Sequence, residues 1–189
     1  MHETIARRFA EALAAIGAAR DALGGRIAQA AQVVTDCLRA GGGVFTFGNG
    51  GSAADAQHIA GEMVGSFLNK TRRALRATAL TCDSSVITSL ANDRGYETVF
   101  ARQLEAAGRA GDVAIAISTS GNSPSVIRGL EAARKLGMKT IVLTGSGGGK
   151  CAPLGDVVLA VPSKDTPRIQ EAHAVIYHII CELVESALA

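Results

Sequence analysis

Apolar residues recur at helical spacing over residues 3–22 and again over 26–40, the second segment reading Ile27, Ala30, Ala31, Val34, Cys37 and Leu38 before Gly41-Gly42-Gly43 interrupts it. A 3.6-residue period closed by glycine predicts two helices ahead of the first strand. Beyond them the pattern changes to short, almost wholly apolar runs over Val44–Phe47, 113–117, 140–144 and 157–161, with a further strand near 75–80. Between these runs, helical patterns lie near 53–67, 84–91, 97–107, 124–135 and 168–187. Ser123-Pro124 is a start signal for one of them, a capping side chain followed by proline at the first helical position. Strands without polar alternation must be buried on both faces. Their alternation with helices therefore predicts an α/β, doubly wound parallel sheet.

Two of the strands run directly into loops of small residues, Gly48-Asn49-Gly50-Gly51-Ser52 and Ser118-Thr119-Ser120-Gly121-Asn122-Ser123, and each loop opens into a helix. In doubly wound sheets ligands bind beyond the carboxyl ends of the strands, where both loops fall. A helix start leaves its first N–H groups unpaired and carries partial positive charge, so these loops are suited to an anion. Glycine permits close backbone approach, and hydroxyls add donors without charge, a combination that suits a sugar phosphate better than a nucleotide. The two loops repeat one another's grammar, but two copies without a fixed period are the ordinary form of this fold class and not an internal repeat.

Composition narrows the rest. The 189 residues make one domain, and 48% apolar with 19% charged residues suffices for a sizeable core. A formal charge of +2, with two tyrosines, five phenylalanines and no tryptophan, argues against a nucleic-acid partner. Cys37, Cys82, Cys151 and Cys181 are too scattered for a zinc knuckle or a disulfide framework, so a reducing cytoplasm is expected. Arg7, Arg8 and Glu11 break what a signal peptide would need as an apolar core, and no stretch reaches the roughly 18 apolar residues of a membrane span.

Several polar residues could carry chemistry. His58 and Glu62 stand one helical turn apart, and Gln170 and His178 two turns apart with small Ala174 between them. Two imidazoles, a carboxylate and a carboxamide oxygen could bind a divalent metal, zinc being the leading choice. A carboxylate and a histidine across a pocket could equally serve as a general acid–base couple. The structural alternative, a helix-surface pair His58/Glu62 and a satisfied core histidine at 178, is the reading that spacing alone favours, and it leaves both functional roles open. Asn92-Asp93 reads as an Asx turn after the short helix, and His2 and His173 as structural. Lys70, Arg72, Arg73 and Arg76 read as a solvated basic loop.

Taken together, Gly48-Asn49-Gly50-Gly51-Ser52, His58-x-x-x-Glu62, Asn92-Asp93, Ser118-Thr119-Ser120-Gly121-Asn122-Ser123 and Arg168-Ile169-Gln170-Glu171 with His178 closely resemble the sedoheptulose 7-phosphate (phosphoheptose) isomerase family of the sugar-isomerase superfamily. The resemblance spans nearly the whole chain and implies one flavodoxin-like sugar-isomerase domain over 1–189, with residues 1–40 used in a homotetramer. The implied reaction is aldose–ketose isomerisation of D-sedoheptulose 7-phosphate to D-glycero-D-manno-heptose 7-phosphate, toward activated heptose for surface polysaccharide. It implies Glu62 and His178 as the acid–base residues. Substrate contacts would come from Asn49, Gly50, Gly51, Ser52, Glu62, Asn92, Asp93, Ser118, Thr119, Ser120, Ser123 and Gln170. The resemblance further implies a zinc site of His58, Glu62, Gln170 and His178, with no nucleotide or redox cofactor. Ser66 departs from the family pattern, in which a basic residue often precedes the aromatic one, here Phe67; the Lys70–Arg76 stretch is the candidate replacement. Non-catalytic relatives that regulate replication by binding the initiator DnaA share the fold but lose catalytic residues, and the presence of both Glu62 and His178 favours the enzyme.

Overall fold

The two predicted N-terminal helices are one. In the computed structural model, which describes residues 1–189, His2–Arg39 form a single 38-residue helix, α1. Gly24 and Gly25 lie between the two predicted segments, and each glycine weakens a helix by about 1 kcal/mol relative to alanine. The face formed by Ala19, Leu23, Ile27, Ala30, Ala31 and Val34 nonetheless stays buried across them. Continuous burial against the C-terminal helix overrides the local preference.

The chain continues as β1 (Val44–Gly48), α2 (Gly51–Val64), β2 (Ala77–Ala79), α3 (Ser84–Arg94), α4 (Val99–Ala107), β3 (Val113–Ser118), α5 (Pro124–Lys135), β4 (Lys139–Thr144), β5 (Val157–Ala160) and α6 (Thr166–Leu188), with 3₁₀ turns at Tyr96–Thr98 and Gly149–Leu154. The strands form one sheet in the order β2-β1-β3-β4-β5, every pair parallel. β1 and β3 are wholly buried, as continuous apolar runs require, while the three-residue β2 closes an edge and is only half-covered.

Alternate strand residues feed two cores. Val44, Val113, Ile115, Ile117, Ile141 and Leu143 pack with α1, α2 and α6 on one face. Phe45, Phe47, Ala114, Ala116 and Val142 pack with α4 and α5 on the other. The small alanines of β3 face the second core, where Phe47 and Phe100 fill the space with ring centroids 5.2 Å apart. Helix α5 approaches so closely there that a Cβ on Gly129 would lie 2.7 Å from the Phe47 ring. No helix is long and apolar enough to cross a membrane.

Three local expectations are corrected. Asn92 and Asp93 are not a turn after a helix; they lie within α3, which continues to Arg94 and starts from an Asp83 cap accepting from Val86 N–H. Ser123 occupies the cap position of α5, but its side chain makes no capping bond. The basic stretch is not uniformly solvated either: Lys70, Arg73 and Arg76 are exposed, but the Arg72 side chain is 2% exposed and bonded to Glu185 of α6.

Candidate active site

The strand order reverses between β1 and β3, which leave the sheet side by side with Gly48 paired to Ile117. Helices that follow such neighbouring strands go to opposite faces and open a crevice between them. Both predicted loops line it. At the first, Gly50 takes φ 57°, a left-handed conformation that lets the chain turn immediately into α2. Ser52 is buried, packed beneath Gly48.

At the second loop, Ser118 is buried, Thr119 half-buried and Ser120 exposed. Gly121, at φ 65°, lies against the backbone of Gly148 in the β4 loop, which leaves no room for a side chain. Cys151 N–H donates to Gly121 O, Gly145 N–H to Thr119 O, and Lys150 N–H to the Asn122 side chain, so the loop after β4 braces the cradle from behind. Asn49 supplies the link between the loops: its amide nitrogen donates to Ser123 Oγ at 2.7 Å and to Ser125 Oγ at 2.9 Å. With Ser123 so engaged, its side chain does not cap α5, and the first N–H groups of that helix face the crevice with the positive end of its dipole. The arrangement is suited to hold an anion.

Farther along the crevice α2 and α6 pack together. His58 Nε2 is 3.0 Å from Glu62 Oε1 and 3.4 Å from His178 Nε2. The Tyr177 hydroxyl bonds His58 Nδ1 at 3.1 Å and Asp55 Oδ1 at 3.4 Å, and Phe67 stacks on the His178 ring with centroids 5.5 Å apart. Burial pushes the Tyr177 phenol up to about 12, aided by the nearby Asp55 charge. It likewise raises the Asp55 carboxyl, although the Tyr177 bond acts in the opposite direction. Burial and the neighbouring His58 depress the His178 imidazole below its ordinary 6.5, which keeps it neutral at pH 7. The Tyr177 hydroxyl and the Glu62 carboxylate thus meet the two ring nitrogens of His58 from different sides and fix the orientation of the ring.

His58, Glu62 and His178 thus bring three ligand atoms within 4.8 Å of one another. Two ligands of a tetrahedral ion at about 2.1 Å stand roughly 3.4 Å apart, so the imidazole spacing fits a shared metal. Two imidazoles and a carboxylate are also a donor set that suits zinc.

Of the predicted metal set, His58, Glu62 and His178 lie together. Gln170 lies two turns earlier on α6, its amide against Gly51 at the start of α2. His178 is half-buried beside His58 and is not a core histidine. His173 fills that role: it is fully buried and bonded to Thr144 O at 3.1 Å, and desolvation lowers it to about 4. Asn92 and Asp93 are exposed and bonded to each other at 2.7 Å. Arg72 is committed to Glu185, so it is not available to replace a charged contact at Ser66. Sequence reasoning missed Tyr96, Ser125, Asp55 and Tyr177. Asp55 lies one turn before His58, a spacing that could have flagged it; the Tyr96–Asn49 contact spans 47 residues and leaves no local signal.

Known proteins resemble this chain over most of its length. A family model described as the SIS domain matches residues 8–145. The chain is 53% identical over 162 residues to the phosphoheptose isomerase of Rhodospirillum rubrum, covering 86% of each chain. It is 54% identical over 160 residues to that of Aquifex aeolicus, covering 85% of this chain and 83% of the relative. Among solved structures, the phosphoheptose isomerase of Neisseria gonorrhoeae superimposes with a TM-score of 0.92 at 44% identity over 98% of both chains. That of Francisella tularensis does so with a TM-score of 0.94 at 36% identity over 97% of both.

Proposed function

We infer the chemistry of this crevice from the premise that the chain belongs to the phosphoheptose isomerases of the SIS-domain family. It is an aldose–ketose isomerase that interconverts D-sedoheptulose 7-phosphate and D-glycero-D-manno-heptose 7-phosphate in heptose biosynthesis. The observation that carries the assignment of roles is the convergence of Glu62 and His178 beside His58, in one crevice with the hydroxyl-lined anion cradle.

The substrate phosphate sits in the loop of Ser118, Thr119, Ser120 and Ser123, at the positive end of α5, with the Asn49-Gly50-Gly51-Ser52 loop beside it. Ser118, the least exposed of these, contributes mainly backbone, while Ser120 and Ser123 offer hydroxyls. Asn92 and Asp93, on α3, contact the sugar hydroxyls. The carbonyl end of the heptose lies against Glu62, His178 and Gln170.

Moving the carbonyl between C2 and C1 requires one carbon-bound proton to leave and another to return to the neighbouring carbon through an enediol or enediolate. Glu62 and His178 divide these transfers. A carboxylate takes and returns a proton at carbon, and a neutral imidazole both donates and accepts, so the pair serves either direction of the reaction. The Tyr177–Asp55 contact holds His58 in one orientation beside Glu62, and Phe67 holds the His178 ring from its face. His58 and Glu62 from α2 and Gln170 and His178 from α6 would hold one zinc ion per subunit. When bound, such an ion polarises the carbonyl and stabilises charge on the enediolate oxygen.

Assembly as a homotetramer is part of this reading. Ile5, Phe9 and Leu13 on α1 and Val175, Ile179 and Leu183 on α6 are 38–69% exposed, an amount of uncovered apolar surface that a second copy would bury. A cytoplasmic location accords with four free cysteines, three of them buried. The test of the whole reading is turnover: purified protein converts sedoheptulose 7-phosphate to the aldose phosphate. Absence of conversion, with retention of initiator protein on a column instead, would favour the non-catalytic alternative.

A further inference from the structure

Tyr96 opens the 3₁₀ turn between α3 and α4, outside every motif that marks the site. Its hydroxyl donates to Asn49 Oδ1 at 2.8 Å, and Asn49 Nδ2 donates onward to Ser123 Oγ and Ser125 Oγ. The side chain is half exposed, and apart from this bond nothing polar holds it there.

We propose that Tyr96 is a positioning residue for the phosphate cradle, one that sets the direction in which the Ser123 and Ser125 hydroxyls donate; this rests on the sugar-phosphate reading of the site. A carboxamide can face two hydroxyls with either end. With its nitrogen toward them it occupies one lone pair on each serine oxygen, the buried Ser125 O–H is left to donate to Ser123 Oγ, and the half-buried Ser123 O–H remains free to turn toward an anion. With its oxygen toward them it takes up those O–H donors, and lone pairs are left facing the phosphate. A phenol donates better than it accepts, because its oxygen lone pairs are drawn into the ring. Tyr96 therefore favours Asn49 Oδ1 pointing outward and Nδ2 pointing to the serines. The two serine oxygens lie 3.3 Å apart, so the same choice governs both. Ser125, fully buried at the first turn of α5, thereby belongs to the cradle although it lies two residues beyond the predicted loop.

The experiment compares the wild type with Tyr96→Phe, which keeps the ring and removes the hydroxyl. Losing one hydrogen bond's worth of orientation raises KM for sedoheptulose 7-phosphate by roughly three- to tenfold while kcat stays within about twofold. The dissociation constant for inorganic phosphate, measured by calorimetry, rises in the same proportion. In a Ser123→Ala/Ser125→Ala background, Tyr96→Phe has no further effect, as required if it acts only through those hydroxyls. A merely structural tyrosine would lower the melting temperature and would not separate KM from kcat. Unchanged KM and unchanged phosphate affinity in Tyr96→Phe, or a full additional loss in the alanine background, would overturn the proposal. If the wild type does not turn over the heptose phosphate, the isomerase reading fails, and the phosphate measurements still decide the role of Tyr96.

Discussion

The Arg72 guanidinium donates to the Glu185 carboxylate at 2.7 Å, joining the loop after α2 to α6 across 113 residues with both side chains nearly closed to water. Glu185 also accepts backbone N–H bonds from Phe67, Leu68 and Asn69, and Arg72 reaches back to Glu62 O. One buried carboxylate thus ties down the segment that carries Phe67 onto His178.

That relationship predicts an acid dependence. Burial pushes the Glu185 carboxyl up, but the N–H bonds from Asn69, Phe67 and Leu68 and the Arg72 bond outweigh it, lowering the group from 4.5 to about 2. A carboxyl depressed on folding contributes its full stability above its unfolded value and loses it as pH falls toward the folded one. Between about pH 4.5 and 2 the wild type therefore loses stability more steeply than Glu185→Gln. At neutral pH the variant, with Arg72 buried and unpaired, is less stable by about 3–5 kcal/mol. Urea midpoints across pH check both, and parallel pH slopes for the two proteins would refute the assignment.

The proton-transfer roles are tested in heavy water. An enediol route exchanges the migrating proton with solvent, so product carries deuterium at the reacting carbon, whereas direct hydride migration would leave it unlabelled. Glu62→Gln and His178→Gln each lower kcat by on the order of 100-fold or more while the circular dichroism spectrum is retained. Wild-type turnover in either variant would remove that residue from the mechanism.

Metal content gives an independent readout. Protein stripped with chelator and titrated with zinc binds close to one ion per chain, and His58→Ala abolishes the binding. Tyr177→Phe, which releases His58 Nδ1 from its hydroxyl partner, weakens zinc by about 10–100-fold. Full affinity in His58→Ala would place the ion elsewhere.

In the cradle, Ser120→Ala or Ser123→Ala weakens substrate binding by ~1–3 kcal/mol, expressed mainly in KM. Ser123→Ala has the larger effect, because it also strips Asn49 of its nearer acceptor. Equal KM values in both variants and the wild type would show that phosphate binds outside this loop.

The proposed homotetramer predicts a light-scattering mass four times that of the chain, with the uncovered apolar faces of α1 and α6 as its interface. A charge placed among them, as in Ile179→Glu, shifts the protein to smaller species, and an unshifted mass would exclude this face as an interface.

Period and punctuation alone determined the α/β class, the four buried strands and the placing of both small-residue loops at strand ends. Continuous apolar runs can satisfy water exclusion only inside a parallel sheet, and glycine and serine mark where each run must stop. Helix spacing likewise put His58 beside Glu62, because neighbours one turn apart share a face whatever surrounds them. The continuity of α1 through Gly24-Gly25 was decided by its packing on α6, a long-range burial that outweighs local propensity. Only the tertiary structure could bring His178 to within 3.4 Å of His58, bury Arg72 against Glu185 and hang Tyr96 on Asn49. These contacts join residues 47 to 120 positions apart, and a side chain's partner across such distances is set by how the helices pack on the sheet, which no local pattern encodes.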